Sequence, residues 1–252
     1  MTLPKPMMGA IRFIPTAITL AALVSGLLSI YASFQSLEFG ANASGLHLRA
    51  SLLIMLAMIL DGLDGNVARL LNATSALGGE LDTFVDLTAF GIAPALLIYT
   101  SASGFPPLVR IVLGCALVAS GAYRLSRFKV IDPHRGHHGF TGLPITICAA
   151  MVATVHIMVL QAPDSWGVLK FDLSQGPAAV GVLVLVVLLA LLQVSRIHYP
   201  KPTTNLFFFA GSIVLVILLF SGRPVLAAGS ALAMVAFGIY YITVTPFLKQ
   251  KG

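Results

Sequence analysis

Charge is scarce in this sequence: only 10% of its 252 residues are Asp, Glu, Lys or Arg, against roughly a quarter in a soluble domain. That scarcity excludes an ordinary water-soluble fold, and a hydrophobic content of 58% makes the bilayer the natural solvent. Only two cysteines are present, Cys115 and Cys148. Both sit in apolar stretches, where a free thiol behaves as a small hydrophobe, so they supply no evidence of disulfides. The net charge of +6 comes from basic residues spread thinly over loops. They lack the aromatic-interleaved stripe that nucleic acids require, which excludes that class of partner and leaves anionic lipid headgroups. Internal repeats, low-complexity tracts and detachable soluble segments are also missing, so residues 1–252 read as a single integral membrane domain.

What is abundant is long apolar runs. A helix needs roughly 20 apolar residues to cross a hydrocarbon core about 30 Å thick. Runs between polar breaks predict eight spans, near residues 14–37, 49–71, 79–100, 106–126, 142–161, 176–195, 205–221 and 224–246. The first follows Lys5 and Arg12 but is too long for a secretory signal, and it reads as a retained span. Its preceding dozen residues read either as a short surface helix or as a disordered start. The stretch 162–175, with Asp164, Trp166, Lys170 and Asp172, reads as an outer interfacial segment. The fold class is therefore an all-α, polytopic transmembrane bundle.

Sorting the cations by loop sets the orientation. With eight spans, Lys5, Arg12, Arg69, Arg124, Arg127, Lys129, Arg135, Arg196, Lys201, Lys249 and Lys251 fall on one side, and only Arg49, Arg110, Lys170 and Arg223 on the other. The positive-inside rule then predicts both termini in the cytoplasm, together with the aspartate-rich connection between the second and third spans.

That connection carries the chemistry. Asp61, Asp64, Gly65 and Ala68 recur at i, i+3, i+4 and i+7 and share one helical face, while Asp82 and Asp86 are i, i+4 neighbours. A short connection makes the two helices antiparallel neighbours and lets the four carboxylates converge. Unaided, four such anions repel one another and resist desolvation, and divalent cations resolve the conflict. Hard oxygen ligands select magnesium, manganese or calcium over zinc. Such ions can hold a diphosphate and polarise its phosphorus. The small residues Gly65, Ala68 and Gly78 leave room for close approach of a ligand, Arg69 can reach a phosphate oxygen, and Ser75 can add a hydroxyl donor. Taken singly these features have blander readings. A lone intramembrane aspartate is often a transporter's ion site, and small residues often serve helix packing. A cation-coupled transporter and a catalytically silent scaffold therefore stand as rival classes.

The pattern Asp61-x2-Asp64-Gly65-x2-Ala68-Arg69-x8-Gly78-x3-Asp82-x3-Asp86 resembles the signature of the CDP-alcohol phosphatidyltransferase family, matching all eight fixed positions. The resemblance implies two metal ions, Mg2+ or Mn2+, on Asp61, Asp64, Asp82 and Asp86. It also implies CDP-diacylglycerol contacts from Gly65, Ala68, Arg69, Ser75 and Gly78, and Asp86 as the proton acceptor for the attacking alcohol. A homodimer in a bacterial-type inner membrane follows from the same likeness.

Further stretches resemble the serine-using bacterial members: 14–20 (IPTAITL), 89–95 (AFGIAPA), 123–128 (YRLSRF) and 140–144 (FTGLP). Thr16, Ala89 and Lys129 depart from the Asn, Ser and Asn usual at those places. L-serine is thus the expected acceptor, with choline, glycerol 3-phosphate or an inositol compound as alternatives. Arg124 and Arg127 are candidates for the serine carboxylate, since an arginine fork suits it, although both also satisfy the positive-inside rule. His134, Arg135, His137 and His138 read as a solvated basic loop or, less readily, a metal site. Glu80 reads as a helix-start residue favoured by the dipole.

Overall fold

A computed structural model describes residues 5–40, 43–131, 140–169, 172–199 and 206–247. The basic loop with His134, Arg135, His137 and His138 lies outside them. The apolar runs form helices α1 (Lys5–Gln35), α2 (Ala43–Leu70), α3 (Ala76–Asp86), α4 (Ala93–Ser101), α5 (Pro107–Ile131), α6 (Ile145–Gln161), α7 (Gly176–Val194), α8 (Leu206–Leu219) and α9 (Pro224–Thr243). A π-helical turn, Leu87–Ile92, joins α3 to α4, so Ala76–Ser101 forms one continuous span.

Among the described residues, six helical segments are long and apolar enough to cross a membrane: Phe13–Gln35, Ala43–Leu70, Ala76–Ser101, Pro107–Val130, Gly176–Val194 and Pro224–Phe247. The chain is a multi-pass membrane protein. The two remaining expected spans are helical but shorter. At 1.5 Å per residue, α6 is about 25 Å long and α8 about 21 Å.

Burial explains how α6 manages with 17 residues. Every residue from Met151 to Val159 is buried, so this helix is enclosed on all sides by protein and has little lipid to match. It packs against α2, α9, α4 and α7. Around it, Ile54, Met55, Phe90, Leu97, Ile98, Leu117 and Leu189 complete the core. The outer helices behave differently: α7 turns Val180, Val184, Val187, Leu188 and Leu191 outward.

Two features differ from the expectation drawn from apolar runs. From Lys5 onward the segment before residue 14 continues into α1 rather than forming a separate surface helix, with Pro15 accommodated inside the helix. A short antiparallel strand pair, β1 (Phe140–Thr141) with β2 (His198–Tyr199), ties the α5–α6 connection to the segment after α7. Two-residue strands carry no periodic signal.

The turn between α2 and α3 sets the site. Asn72 takes a left-handed conformation, φ 49°. The Ala73 N–H reaches the Ala68 carbonyl at 2.9 Å and the Asn72 N–H that of Arg69 at 3.2 Å, the paired bonds of a Schellman stop. Ser75 then caps α3 by accepting the Gly78 N–H at 3.0 Å. Helix α1 lies against both α2 and α3.

Candidate active site

Carboxyl oxygens of Asp61 and Asp64 on α2 and of Asp82 on α3 all lie within 4.8 Å of one another. Asp61 also interacts electrostatically with Asp86, one helical turn beyond Asp82 at the end of α3. Face-sharing on two helices, read from spacing alone, brings Asp61, Asp64 and Asp82 together, with Asp86 at the end of α3 beside them. Asp64 is buried, and its Oδ2 accepts a hydrogen bond from the Thr19 hydroxyl of α1. Thr19 also lies 3.0 Å from the Pro15 carbonyl. Sequence reasoning missed this support. The available signal was a hydroxyl one helical turn beyond a proline in an otherwise apolar helix.

These residues fit a hard divalent cation. Every donor is a carboxylate oxygen, and Asp86 Oδ1 is buried without a hydrogen-bond partner, an expensive arrangement for an anion unless a cation meets it.

The smaller motif residues surround this cluster. Arg69 donates from Nη2 to Asn66 Oδ1 at 2.9 Å, and the amide of Asn66 donates to the Gly62 carbonyl at 2.6 Å. A Cβ on Gly65 would stand 3.6 Å from Arg69 Nη1, so the guanidinium of the exposed Arg69 lies over the glycine. Ala68 lends its carbonyl to the turn after α2. Ser75, expected as a ligand donor, has its oxygen engaged by Gly78 and keeps its own O–H to give. A Cβ on Gly78 would come within 3.1 Å of that hydroxyl, which explains the glycine.

The two arginines of α5 have different surroundings. Arg124 is buried, interacts electrostatically with Asp86, and packs over the rings of Phe140 and Phe128 at 5.4 and 5.6 Å. Arg127 donates to four backbone carbonyls: Thr141 at 2.8 Å, Ser195 at 2.9 Å, Val194 at 3.0 Å and Gln193 at 3.4 Å. Its fork clamps β1 to the end of α7. Glu80 does more than face a helix dipole, since it pairs with Lys129 at 2.5 Å and links α3 to the end of α5.

Comparison with known proteins now bears on this arrangement. The description CDP-alcohol phosphatidyltransferase matches residues 12–244, nearly the whole chain. The chain belongs to the CDP-alcohol phosphatidyltransferase family. It is accordingly an enzyme of phosphatidyl transfer. Among its relatives, the CDP-diacylglycerol–serine O-phosphatidyltransferase of Helicobacter pylori (strain ATCC 700392 / 26695) is 33% identical over 232 residues, covering 90% of this chain and 87% of that protein. The protein of the same description from Methanocaldococcus jannaschii is 33% identical over 189 residues, 74% of this chain and 81% of its own length. The archaetidylserine synthase of Methanothermobacter thermautotrophicus is 30% identical over 190 residues, 75% of this chain and 70% of its own. In this phosphatidyltransferase the signature aspartates and the buried Arg124 thus occupy one end of the bundle.

Proposed function

We propose that this enzyme transfers the phosphatidyl group of CDP-diacylglycerol to L-serine, giving phosphatidylserine and CMP. The observation that carries the reading is the convergence of Asp61, Asp64 and Asp82, with Asp86 and the buried Arg124 beside them. The names of the relatives support serine as acceptor.

Asp61, Asp64, Asp82 and Asp86 would hold the metal, two ions of Mg2+ or Mn2+. When bound, such ions neutralise the diphosphate oxygens and make phosphorus more electrophilic. Gly65 and Ala68 give the nucleotide access to the α2 backbone, with Gly78 and the Ser75 O–H at the start of α3. Arg69 offers its free N–H groups to a phosphate oxygen. Asp86 removes the proton from the serine hydroxyl. The freed oxygen forms a bond to the phosphorus that bears diacylglycerol, the bond from that phosphorus to the CMP oxygen breaks, and CMP leaves with the electron pair. Arg124 takes the serine carboxylate, while Arg127, engaged by four carbonyls, keeps the wall of that pocket in place. Residues 1–252 act as one domain in a bacterial-type inner membrane. The site faces the cytoplasm, both termini lie on that side, and the enzyme works as a homodimer.

The test is CMP release by the purified protein with CDP-diacylglycerol and manganese, comparing L-serine with choline, glycerol 3-phosphate and inositol. Release that depends on serine supports the reading, and release with another acceptor alone moves the specificity. Ion flux in sealed vesicles without CMP release would return the transporter reading. Asp86→Asn is expected to abolish turnover and spare nucleotide binding, and chelation is expected to stop the reaction until Mn2+ or Mg2+ is restored.

A further inference from the structure

Beside Asp86 lies a group of buried polar atoms that the bundle does not satisfy. Among the described residues, Arg124 Nε, Gln193 Nε2 and Tyr199 Oη are buried without a hydrogen-bond partner. Arg124 is 6% exposed, and Gln193 and Tyr199 are 0% exposed. They come from α5, α7 and β2, far apart in sequence, yet share one neighbourhood. Gln193 lies against Cys148 of α6, and Cys148 interacts electrostatically with both Arg124 and Tyr199. Tyr199 stacks on Tyr241 with ring centroids 5.6 Å apart, and pairs through its backbone with Phe140, the residue whose ring lies beneath Arg124.

We propose that Gln193 and Tyr199, together with Arg124, form the pocket that recognises the carboxylate of the acceptor amino alcohol. This rests on the serine reading above and deepens it. Buried donors are almost always paired, and three in one neighbourhood call for a ligand that accepts from all of them. A carboxylate does so: it has about four lone-pair sites, and one of the three donors is a permanent cation. A quaternary ammonium would be repelled by the permanent cation Arg124, and a neutral polyol leaves Arg124 without a counter-charge.

Placement agrees with the chemistry. In serine only two carbons separate the hydroxyl from the carboxylate, so the group that takes the proton and the groups that bind the carboxylate must be neighbours. Asp86 and Arg124 are. The Gln193 amide is also held in orientation. Ser120 donates to its Oε1 at 3.3 Å, leaving the NH2 end for a ligand. A Cβ on Gly121 would crowd that oxygen at 3.2 Å and Ile145 Cδ1 at 2.6 Å, so this glycine makes the space that Gln193 occupies.

The experiment uses the full-length enzyme in detergent with manganese. Steady-state CMP release is measured while serine and CDP-diacylglycerol are varied separately, for wild type, Gln193→Met and Tyr199→Phe. Ethanolamine and L-serinamide, which lack the carboxylate, serve as poor acceptors for comparison. Losing a hydrogen bond to a charged group corresponds to roughly a tenfold effect or more. Each variant is therefore expected to raise the serine KM at least that much, leave the CDP-diacylglycerol KM within about twofold, and narrow the preference for serine over serinamide. Tyr199→Phe keeps the stacked ring, and protection of each protein against heat by L-serine gives a reading independent of turnover. A serine-active wild type whose variants keep the serine KM and the thermal protection overturns this assignment alone. So does an equal rise in both KM values. A wild type that ignores serine overturns the functional reading, and this pocket with it.

Discussion

Replacing Gly26 by alanine tests whether the seat of α1 on the π-helical turn positions the chemistry. A Cβ at Gly26 would stand 2.8 Å from Ala89 Cβ, 2.9 Å from Ala89 Cα and 3.4 Å from Ala89 N. Carbon atoms rest at about 3.5–4.0 Å, so α1 and the turn must part by roughly 0.7–1 Å. Ala89 is fully buried and the obstacle is partly backbone, which leaves no side chain free to swing aside. Overpacking of this kind costs about 1–3 kcal/mol, and the better helix propensity of alanine returns about 0.5–1 kcal/mol. Because the clash includes backbone, the upper part of the range applies and the net loss is about 2 kcal/mol. For a chain of this size that corresponds to a fall in Tm of roughly 4–8 °C. Activity should fall further than stability. The turn begins one residue beyond Asp86, and a misplacement near 1 Å can cost about 100-fold in rate. The assay pairs thermal denaturation in detergent with CMP release well below the transition. A second change, Ala89→Gly, removes the 2.8 Å contact but not the 2.9 Å one, so it should restore only part of both losses. Gly26→Ala with unchanged Tm and rate would refute the argument, because α1 would not then be seated on the turn.

Three other changes separate support from chemistry. Thr19→Val removes the hydroxyl that Asp64 accepts from, and should lower activity at limiting metal by roughly tenfold or more while saturating metal restores much of it; a metal titration of the rate checks this. Arg127→Lys cannot reproduce the fork on four carbonyls, so Tm should fall by an amount equivalent to about 2 kcal/mol or more, while the serine KM stays near wild type. A raised serine KM without loss of stability would instead place Arg127 in the acceptor pocket. Glu80→Gln breaks an exposed ion pair with Lys129 and should cost less than about 1 kcal/mol, a difference that fades as salt is added to the denaturation buffer.

Much of this architecture is legible in the chain because lipid imposes a simple length rule. The apolar runs located six membrane-length helical segments and two shorter helices, and the i, i+3, i+4 spacing put Asp61 and Asp64 on one face. Interactions between distant segments carried no comparable signal. Thr19 reaches Asp64 across 45 positions, and Arg127 reaches Ser195 across 68. Gln193 sits at the end of a very apolar helix, where a lone amide reads as an interfacial residue until its burial is known. The π-helical turn after Asp86 was illegible for another reason: its sequence, Leu87–Ile92, is as apolar as the helices on either side, and only the ladder of backbone bonds distinguishes it.

The enclosure of α6 separates the catalytic end of the molecule from the mechanics of the bilayer. Helices in contact with lipid tilt or stretch their surroundings when membrane thickness changes, at a cost of fractions of a kcal/mol per Å. A 17-residue rod enclosed by its neighbours does not take part in that adjustment. Cys148, mounted on this rod, can therefore keep its place as the enzyme's own product accumulates and alters the membrane around it. The outer helices act as a flexible collar, and the innermost one as the fixed reference against which the site is held.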